Sequence, residues 1–346
     1  MPHALVSPCL LYALALLTLA APVASATTLL VGNTQTGNIV RYDASTGAYL
    51  GEFIPAGTGG LQQPDDLTIG PDGLLYITSG ANTPTPDQGV LRFHPDTGAY
   101  IDHFTRFAPE TRQPAFLRPY GCAFGPDGIL YVASFRTDEI LRFDGRTGIY
   151  LDTFAAGTGQ PDGLNGPNDL LFTPQGQLLI TTQGSVAARD GTAKIAYRHP
   201  SQILSYDPAT GRHHVFATPG PADGTPGGSS SLLGLTPHPD GQSFYASDFS
   251  GRLLHFSYTG QLLHSTPTTI PGQNTGNLAY LDGHLYLPTF SPKTLDGALL
   301  RLDSNTLVFN LQNNPPAPPP PWLTDPAHLR RPIGILALPA AQKNPR

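Results

Sequence analysis

Gly70-Pro71-Asp72-Gly73-Leu74-Leu75-Tyr76-Ile77 and Gly125-Pro126-Asp127-Gly128-Ile129-Leu130-Tyr131-Val132 are two spellings of one phrase. Proline presets φ, the aspartate side chain holds the turn, and glycine takes the positive φ that reverses the chain. The run behind each turn is aromatic and β-branched and too short for a stable helix, so it reads as a buried strand. Downstream come Val90-Leu91-Arg92-Phe93 and Ile140-Leu141-Arg142-Phe143, then a Thr-Gly turn. The alternating runs Tyr100-Ile101-Asp102 and Tyr150-Leu151-Asp152 follow. An apolar strand also precedes each Gly-Pro-Asp-Gly, so each unit holds four strands.

Once these copies fix the register, weaker ones become visible. Asn168-Asp169-Leu170 leads to Thr173-Pro174-Gln175-Gly176 and Leu179-Ile180-Thr181. Gly234-Leu235 leads to Pro239-Asp240-Gly241 and Phe244-Tyr245-Ala246-Ser247. Asn277-Leu278 leads to Asp282-Gly283 and Leu285-Tyr286-Leu287. A period of roughly 43 to 65 residues suits four-stranded blades with loop insertions.

The ends settle the count. Leu29-Leu30-Val31-Gly32, Ile39-Val40-Arg41-Tyr42 and Tyr49-Leu50-Gly51 are the last three strands of a unit that lacks its first. Pro332-Ile333-Gly334-Ile335-Leu336 has the Pro-x-Gly-apolar form of Pro119-Tyr120-Gly121, so it supplies the missing strand and closes the ring. Closure removes the exposed sheet edges of an open array. The expectation is an all-β, six-bladed β-propeller over residues 27–346, closed by its C-terminal strand.

Composition agrees. With 38 Gly and 37 Pro in 346 residues and 13% charged side chains, the chain has the makings of many tight turns rather than long helices. A net charge of −6 leaves no basic stripe, which argues against nucleic acid as a partner. At the N-terminus, Leu10 to Ala21 is an apolar run closed by Pro22, and Ala24-Ser25-Ala26 offers a small-residue cleavage site. The run is shorter than the ~20 residues of a spanning helix, so residues 1–26 read as a secretory signal peptide. The mature chain is then expected to be secreted or periplasmic, with no membrane span. Cys122 is its one cysteine, which excludes an internal disulfide.

The Gly-Pro-Asp-Gly-x-Leu-Tyr-Val and Ile-x-Arg-Phe-Asp phrases resemble those of NHL-repeat propellers and of the related gluconolactonase-like (senescence-marker-protein) superfamily. The resemblance covers nearly all of residues 27–346 and is specific for fold. For function it is weak, because these phrases are turn and core chemistry. Amidating lyases of the NHL type share the phrases but use histidine ligands, which the strand starts here lack. The catalytic pattern of streptogramin lyases finds no match.

Function in such a ring is expected at one mouth of the central channel, where the innermost strands begin. The ligand-binding candidates there are Asp66, Tyr120, Asp169 and Arg331. Asp65, Asn168, Asn277 and Asp248 offer hard oxygens of the kind that calcium or another divalent cation takes. The resemblance implies a channel-mouth metal, and Pro64-Asp65-Asp66 and Pro167-Asn168-Asp169 match its phrases, with Asp65 and Asn168 as the direct carry-overs. The family's glutamate has no counterpart, since the closing strand opens Arg331-Pro332-Ile333-Gly334. The other reading stays open: these Asx side chains satisfy backbone N–H groups where strands start. The histidines His213, His214, His255 and His264 read as strand surface or packing. The insertions Gly184 to Ser201 and Pro219 to Ser231 read as loops, and Asn313 to Trp322 as a polyproline spacer. The first-choice function is a module that binds a small molecule or a protein at the channel mouth. The alternative is a metal-dependent hydrolase of the lactonase type.

Overall fold

In a computed structural model, which describes residues 27–82, 88–106, 117–190, 192, 194–220, 230–268, 272–304 and 319–339, the repeated phrase folds as its chemistry dictates. Gly73 and Gly128 sit at φ 77° and 76°. Asp72 Oδ1 accepts the Leu74 N–H at 3.1 Å and Asp127 Oδ1 accepts that of Ile129 at 3.0 Å, so each aspartate closes its own turn. The other carboxylate oxygen reaches across the hairpin to the Tyr76 or Tyr131 hydroxyl, at 3.0 and 2.9 Å. The expected signal peptide, the expected polyproline spacer and the middle of the 219–231 insertion lie wholly or largely outside the described residues.

Five of the six units are four-stranded antiparallel sheets, and the sixth has five strands. From the channel outward, blade 2 contains Leu67–Ile69, Leu75–Ser79, Gly89–Phe93 and Tyr100–His103. Blade 3 contains Pro119–Phe124, Ile129–Ser134, Glu139–Asp144 and Tyr150–Ala156. Blade 4 contains Pro167–Phe172, Leu178–Thr182, Gln202–Tyr206 and His213–Ala217. Blade 5 contains Leu232–Pro237, Ser243–Asp248, Arg252–Ser257 and Leu262–Pro267. In blade 6 the innermost position is split between Asn274–Thr275 and Ala279–Leu281. Both pair with His284–Phe290, which is followed by Gly297–Asp303 and Leu323–Thr324.

Blade 1 joins the two ends of the chain. Pro332–Leu338 runs antiparallel to Thr28–Asn33, with Val31 opposite Ile335, and Asn38–Asp43 and Tyr49–Ile54 complete the sheet. The core confirms closure: six apolar clusters each lie between two neighbouring blades. Leu29 and Val31 pack toward Tyr286 and Leu299 of blade 6, while Leu30, between them in sequence, packs toward Leu75 and Ile77 of blade 2. The remaining four clusters join blades 2 to 3, 3 to 4, 4 to 5 and 5 to 6. Because successive side chains of a strand face opposite ways, a blade buried on both faces needs apolar residues in unbroken runs. Leu29-Leu30-Val31 and Leu75-Tyr76-Ile77 are such runs.

One expectation is corrected. The 184–201 insertion is not a bare loop, since Ser185–Ala187 pairs with Ile195–Tyr197 as a short hairpin off blade 4. The segment was too short and too charged around Arg189-Asp190 to show a strand period. Among the described residues, no helix is long and apolar enough to cross a membrane.

Candidate functional site

Four of the six innermost strands are entered through a proline, and the residue before it is left-handed each time: Gln63 (φ 39°), Arg118 (φ 56°), Gly166 (φ 65°) and Arg331 (φ 48°). A residue before proline is driven out of the right-handed α region, and positive φ costs a residue with a Cβ about 1–3 kcal/mol. Strain of this kind, carried by Gln63, Arg118 and Arg331, persists only where the surroundings hold it. At Arg118 they do. Its guanidinium donates to the Gly80 carbonyl at 2.9 Å, to the Gln63 side chain, and to Asp65 Oδ2 at 3.1 Å, and it lies over the Tyr120 ring at 5.1 Å. Both members of the Arg118–Asp65 pair are buried. Burial pushes the Asp65 carboxyl up, against the pull of Arg118 and Arg331.

The strand start bulges in blades 3, 4 and 5, past the proline in the first two: the register slips between Pro119 and Cys122, between Pro167 and Leu170, and between Leu232 and Leu235. Residues at the strand starts fall at two levels. At the upper level, Asp65, Tyr120, Arg331 and Ile333 line a recess of about 170 Å³ together with Gln183, Tyr197, Ser231, Leu233 and Phe249. A second recess of about 700 Å³ shares Gln183, Tyr197, Ser231 and Phe249 with the first and continues outward over blades 4 and 5. Tyr197, on the insertion hairpin, is 66% exposed. Arg331 donates to Thr34 Oγ1 at 3.1 Å and lies 5.7 Å from the Phe290 ring centroid. The mouth thus holds two arginines against one aspartate, bordered by Tyr120, Tyr197 and Phe249.

At the lower level, Asp66, Asp169 and Asn277 line a separate cavity of about 430 Å³, the central channel. Asp66 keeps some contact with the channel space, yet it lies deep in the ring. Burial raises its pKa to about 6, against the hydrogen bond that it accepts from the Cys122 N–H at 3.0 Å. Asp169 rises well above the usual carboxylate range, first through burial and then through the charge of Asp66.

The eight expected site residues therefore separate. Tyr120, Arg331 and Asp65 meet at the mouth, and Asp66, Asp169 and Asn277 meet in the channel. Asn168 is buried and lines neither space. Asp248 is also buried, gripped by Arg252 at 2.7 and 3.1 Å, and it accepts the Ser231 N–H at 2.9 Å and the Ser250 N–H at 3.0 Å. Burial would raise its pKa, but the Arg252 charge and the hydrogen bonds from Ser250, Ser231 and Arg252 together outweigh this and lower it. As a ligand set for a channel-mouth cation, Asp65, Asn168, Asn277 and Asp248 do not fit: they do not converge, and each carboxylate already holds an arginine. Among the described residues, no three His, Cys, Asp or Glu are grouped to hold a metal ion. Sequence reasoning missed Arg118, Tyr197 and Phe249. An Arg-Pro pair at both 118–119 and 331–332 was the one available signal for the first.

The ring, its blades and its two-level channel make the chain a β-propeller. No family profile matches the sequence, and no characterised protein matches it at the sequence level. Solved structures do match the fold. One is a chain of the nidogen/laminin complex, with a TM-score of 0.58 and 15% identity over 91% of this chain and 99% of that one. Another is a protein of unknown function from Bacteroides caccae, with a TM-score of 0.57 and 13% identity over the same shares. A third is virginiamycin B lyase from Staphylococcus aureus, at 0.49 and 14%, covering 84% of this chain and 86% of that one.

Proposed function

We propose that this propeller is a secreted or periplasmic recognition module of NHL-like type that takes a protein segment into the channel mouth. The observation that carries the reading is the strained Arg331-Pro332 entry. It sets a cation into a recess whose walls include Tyr120, Tyr197 and Phe249. Aromatic and arginine side chains around a concave centre are the composition of binding hot spots, and backbone strain is retained where a surface must be preorganised. The two joined recesses offer an extended groove rather than a closed pocket, which suits a peptide better than a compact substrate. That one fold neighbour was crystallised within a nidogen/laminin complex accords with a protein ligand.

The test is selection of peptides from a random display library on the purified chain, followed by affinity measurement on Tyr197→Ala and Arg331→Ala. Each variant is expected to weaken the selected peptides about tenfold or more, the usual cost of losing a central aromatic or arginine. Equal binding by both variants would move recognition away from this mouth. Lactone turnover that Asp65→Asn abolishes would favour the hydrolase instead.

A further inference from the structure

Arg331 borders two recesses at once. Besides the small one at the mouth, it lines a third recess of about 680 Å³, built by the turn Thr34 to Gly37 of blade 1 and by Leu61 to Gln63 on the way into blade 2. The 700 Å³ recess lies over the junction of blades 4 and 5, and in a ring of six the junction of blades 1 and 2 stands opposite it. The small recess links the two, sharing Tyr197 and Phe249 with one and Arg331 with the other. The three together run across the whole mouth. Their ends differ in chemistry. Tyr197, Phe249, Pro200 and Pro219 line the blade 4–5 end. Gln35, Gln62, Gln63 and Asn82 line the blade 1–2 end, where Arg331 is the one charged group and no aromatic ring enters among the described residues.

The charge of Arg331 is the one left over. Arg118 holds Asp65, Arg252 holds Asp248 and Arg330 holds Asp296. Arg331 holds no carboxylate among the described residues. One of its five side-chain N–H groups goes to Thr34 Oγ1 at 3.1 Å, and no other acceptor there meets its guanidinium. Asp65 feels its charge at longer range, but that carboxylate is already matched by Arg118. The side chain is also well placed. Its own N–H donates to the Leu295 carbonyl at 2.8 Å, and its carbonyl accepts the Thr34 N–H at 3.2 Å and the Thr34 hydroxyl at 2.9 Å. The Phe290 ring lies 5.7 Å from its guanidinium. A planar fork held in this way gives up little freedom when an anion arrives.

We propose that the segment taken at the mouth carries an aspartate or glutamate whose carboxylate pairs with Arg331, with an aromatic or large apolar residue on one side of it and polar, uncharged residues on the other. The inference rests on the reading of the mouth as a peptide site and adds the chemistry of the ligand. The aromatic residue lies against Tyr197 and Phe249, and the polar stretch meets the amides of Gln35, Gln62, Gln63 and Asn82, which can both donate to and accept from a peptide backbone. One surplus positive charge matches one carboxylate better than the near-double charge of a phosphate. The acid is a side chain and not a C-terminus, because open recess continues on both sides of Arg331. Charge-assisted bonds from guanidinium to carboxylate are about twice as strong as neutral ones, so this contact sets which segments are accepted.

The experiment reads the sequences that the purified chain selects from a random peptide display library. Asp or Glu is expected at one fixed position beside an aromatic residue. In a synthetic copy of a selected peptide, changing that acid to its amide should weaken binding to the wild-type chain about tenfold or more, while amidating the C-terminus should change it less than about twofold. Arg331→Glu, selected afresh, should exchange the acid for Lys or Arg at the same position. If that variant does not fold, the synthetic peptides decide alone, since they need only the wild type. Peptides that lose affinity on Tyr197→Ala but show no preference for an acid would overturn the pairing and leave the mouth a peptide site. A large loss on C-terminal amidation would overturn the assignment to a side chain. A library that yields no binder, or binders indifferent to Tyr197→Ala and Arg331→Ala alike, would overturn both readings.

Discussion

Blades 2 and 5 occupy the same fold positions with opposite electrostatics. In blade 2, Arg92 on the third strand faces Asp102 on the fourth with two bonds, Nε to Oδ1 at 2.8 Å and Nη2 to Oδ2 at 2.6 Å. It also reaches Asp72 at 3.3 Å and lies 4.6 Å from the Phe104 ring centroid. Blade 3 repeats the arrangement with Arg142 and Asp152 at 2.7 and 2.6 Å. In blade 5 the two positions are His255 and His264, paired in the same register, with ring centroids 5.7 Å apart. His255 stacks on Tyr245 at 4.4 Å, as Arg92 covers Tyr76. The Ser243 hydroxyl gives its proton to Asp240 at 2.7 Å, so His255 Nε2 must donate to it at 2.8 Å. The neutral Nε2–H tautomer follows. What the position requires is a flat group that covers the tyrosine and bonds along the blade edge, and charge is optional.

The two solutions respond differently to acid. Burial, and then the charges of His238 and His264, lower His255 to about 4. Since its pKa is depressed on folding, the unfolded chain binds the proton more readily. Its contribution is therefore full above pH ~6.5 and is lost as pH falls toward 4. Arg92 lowers the pKa of Asp102, so that pair keeps its contribution throughout this window and loses it only below the ordinary carboxylate range. Asp66 runs the other way: raised to about 6, it favours the folded state below pH ~4 and loses that advantage as pH rises through 6.

The sharpest break in the comparison is Arg92→Ala, which strips two charge-assisted bonds and leaves Asp72 and Asp102 facing each other. It should cost about 2 kcal/mol in urea denaturation. Next comes acid: between pH 7 and 4.5 the wild type should lose about 1 kcal/mol relative to His255→Phe. That figure allows for screening of a half-exposed ring. The phenylalanine keeps the stack on Tyr245 but cannot titrate, and both proteins share Asp66, so the channel cancels in the difference. A flat difference would show that His255 does not feel its neighbours. Smallest is the graft His255→Arg with His264→Asp, expected to add at most about 0.5 kcal/mol at pH 7 and to flatten the acid response.

The repeat and its closure were legible because they are local: a Pro-Asp-Gly turn and an unbroken apolar run carry their conformation in a few residues. Pro332-Ile333-Gly334 announced the closing strand by the same token. The division of the site was not legible. Asp65 and Asp66 are neighbours in sequence, yet one meets Arg118 at the mouth and the other meets Cys122 in the channel. In blade 2 the chain enters through Pro64 from the left-handed Gln63, and bulges mark the starts of blades 3, 4 and 5; no periodicity records either feature. Asp66, Asp169 and Asn277, which share the channel, lie far apart in the chain. Only the assembled ring places those positions side by side.

The seam between Thr28–Asn33 and Pro332–Leu338 has a consequence for biogenesis. Blade 1 begins with strands that precede blades 2 to 6 in the chain and is finished by one that follows them all, so its parts leave the ribosome far apart in time. During synthesis its three early strands wait with one sheet edge open, so a chaperone that covers that edge, or a late truncation that removes the final strand, would decide between a sealed ring and an aggregating one.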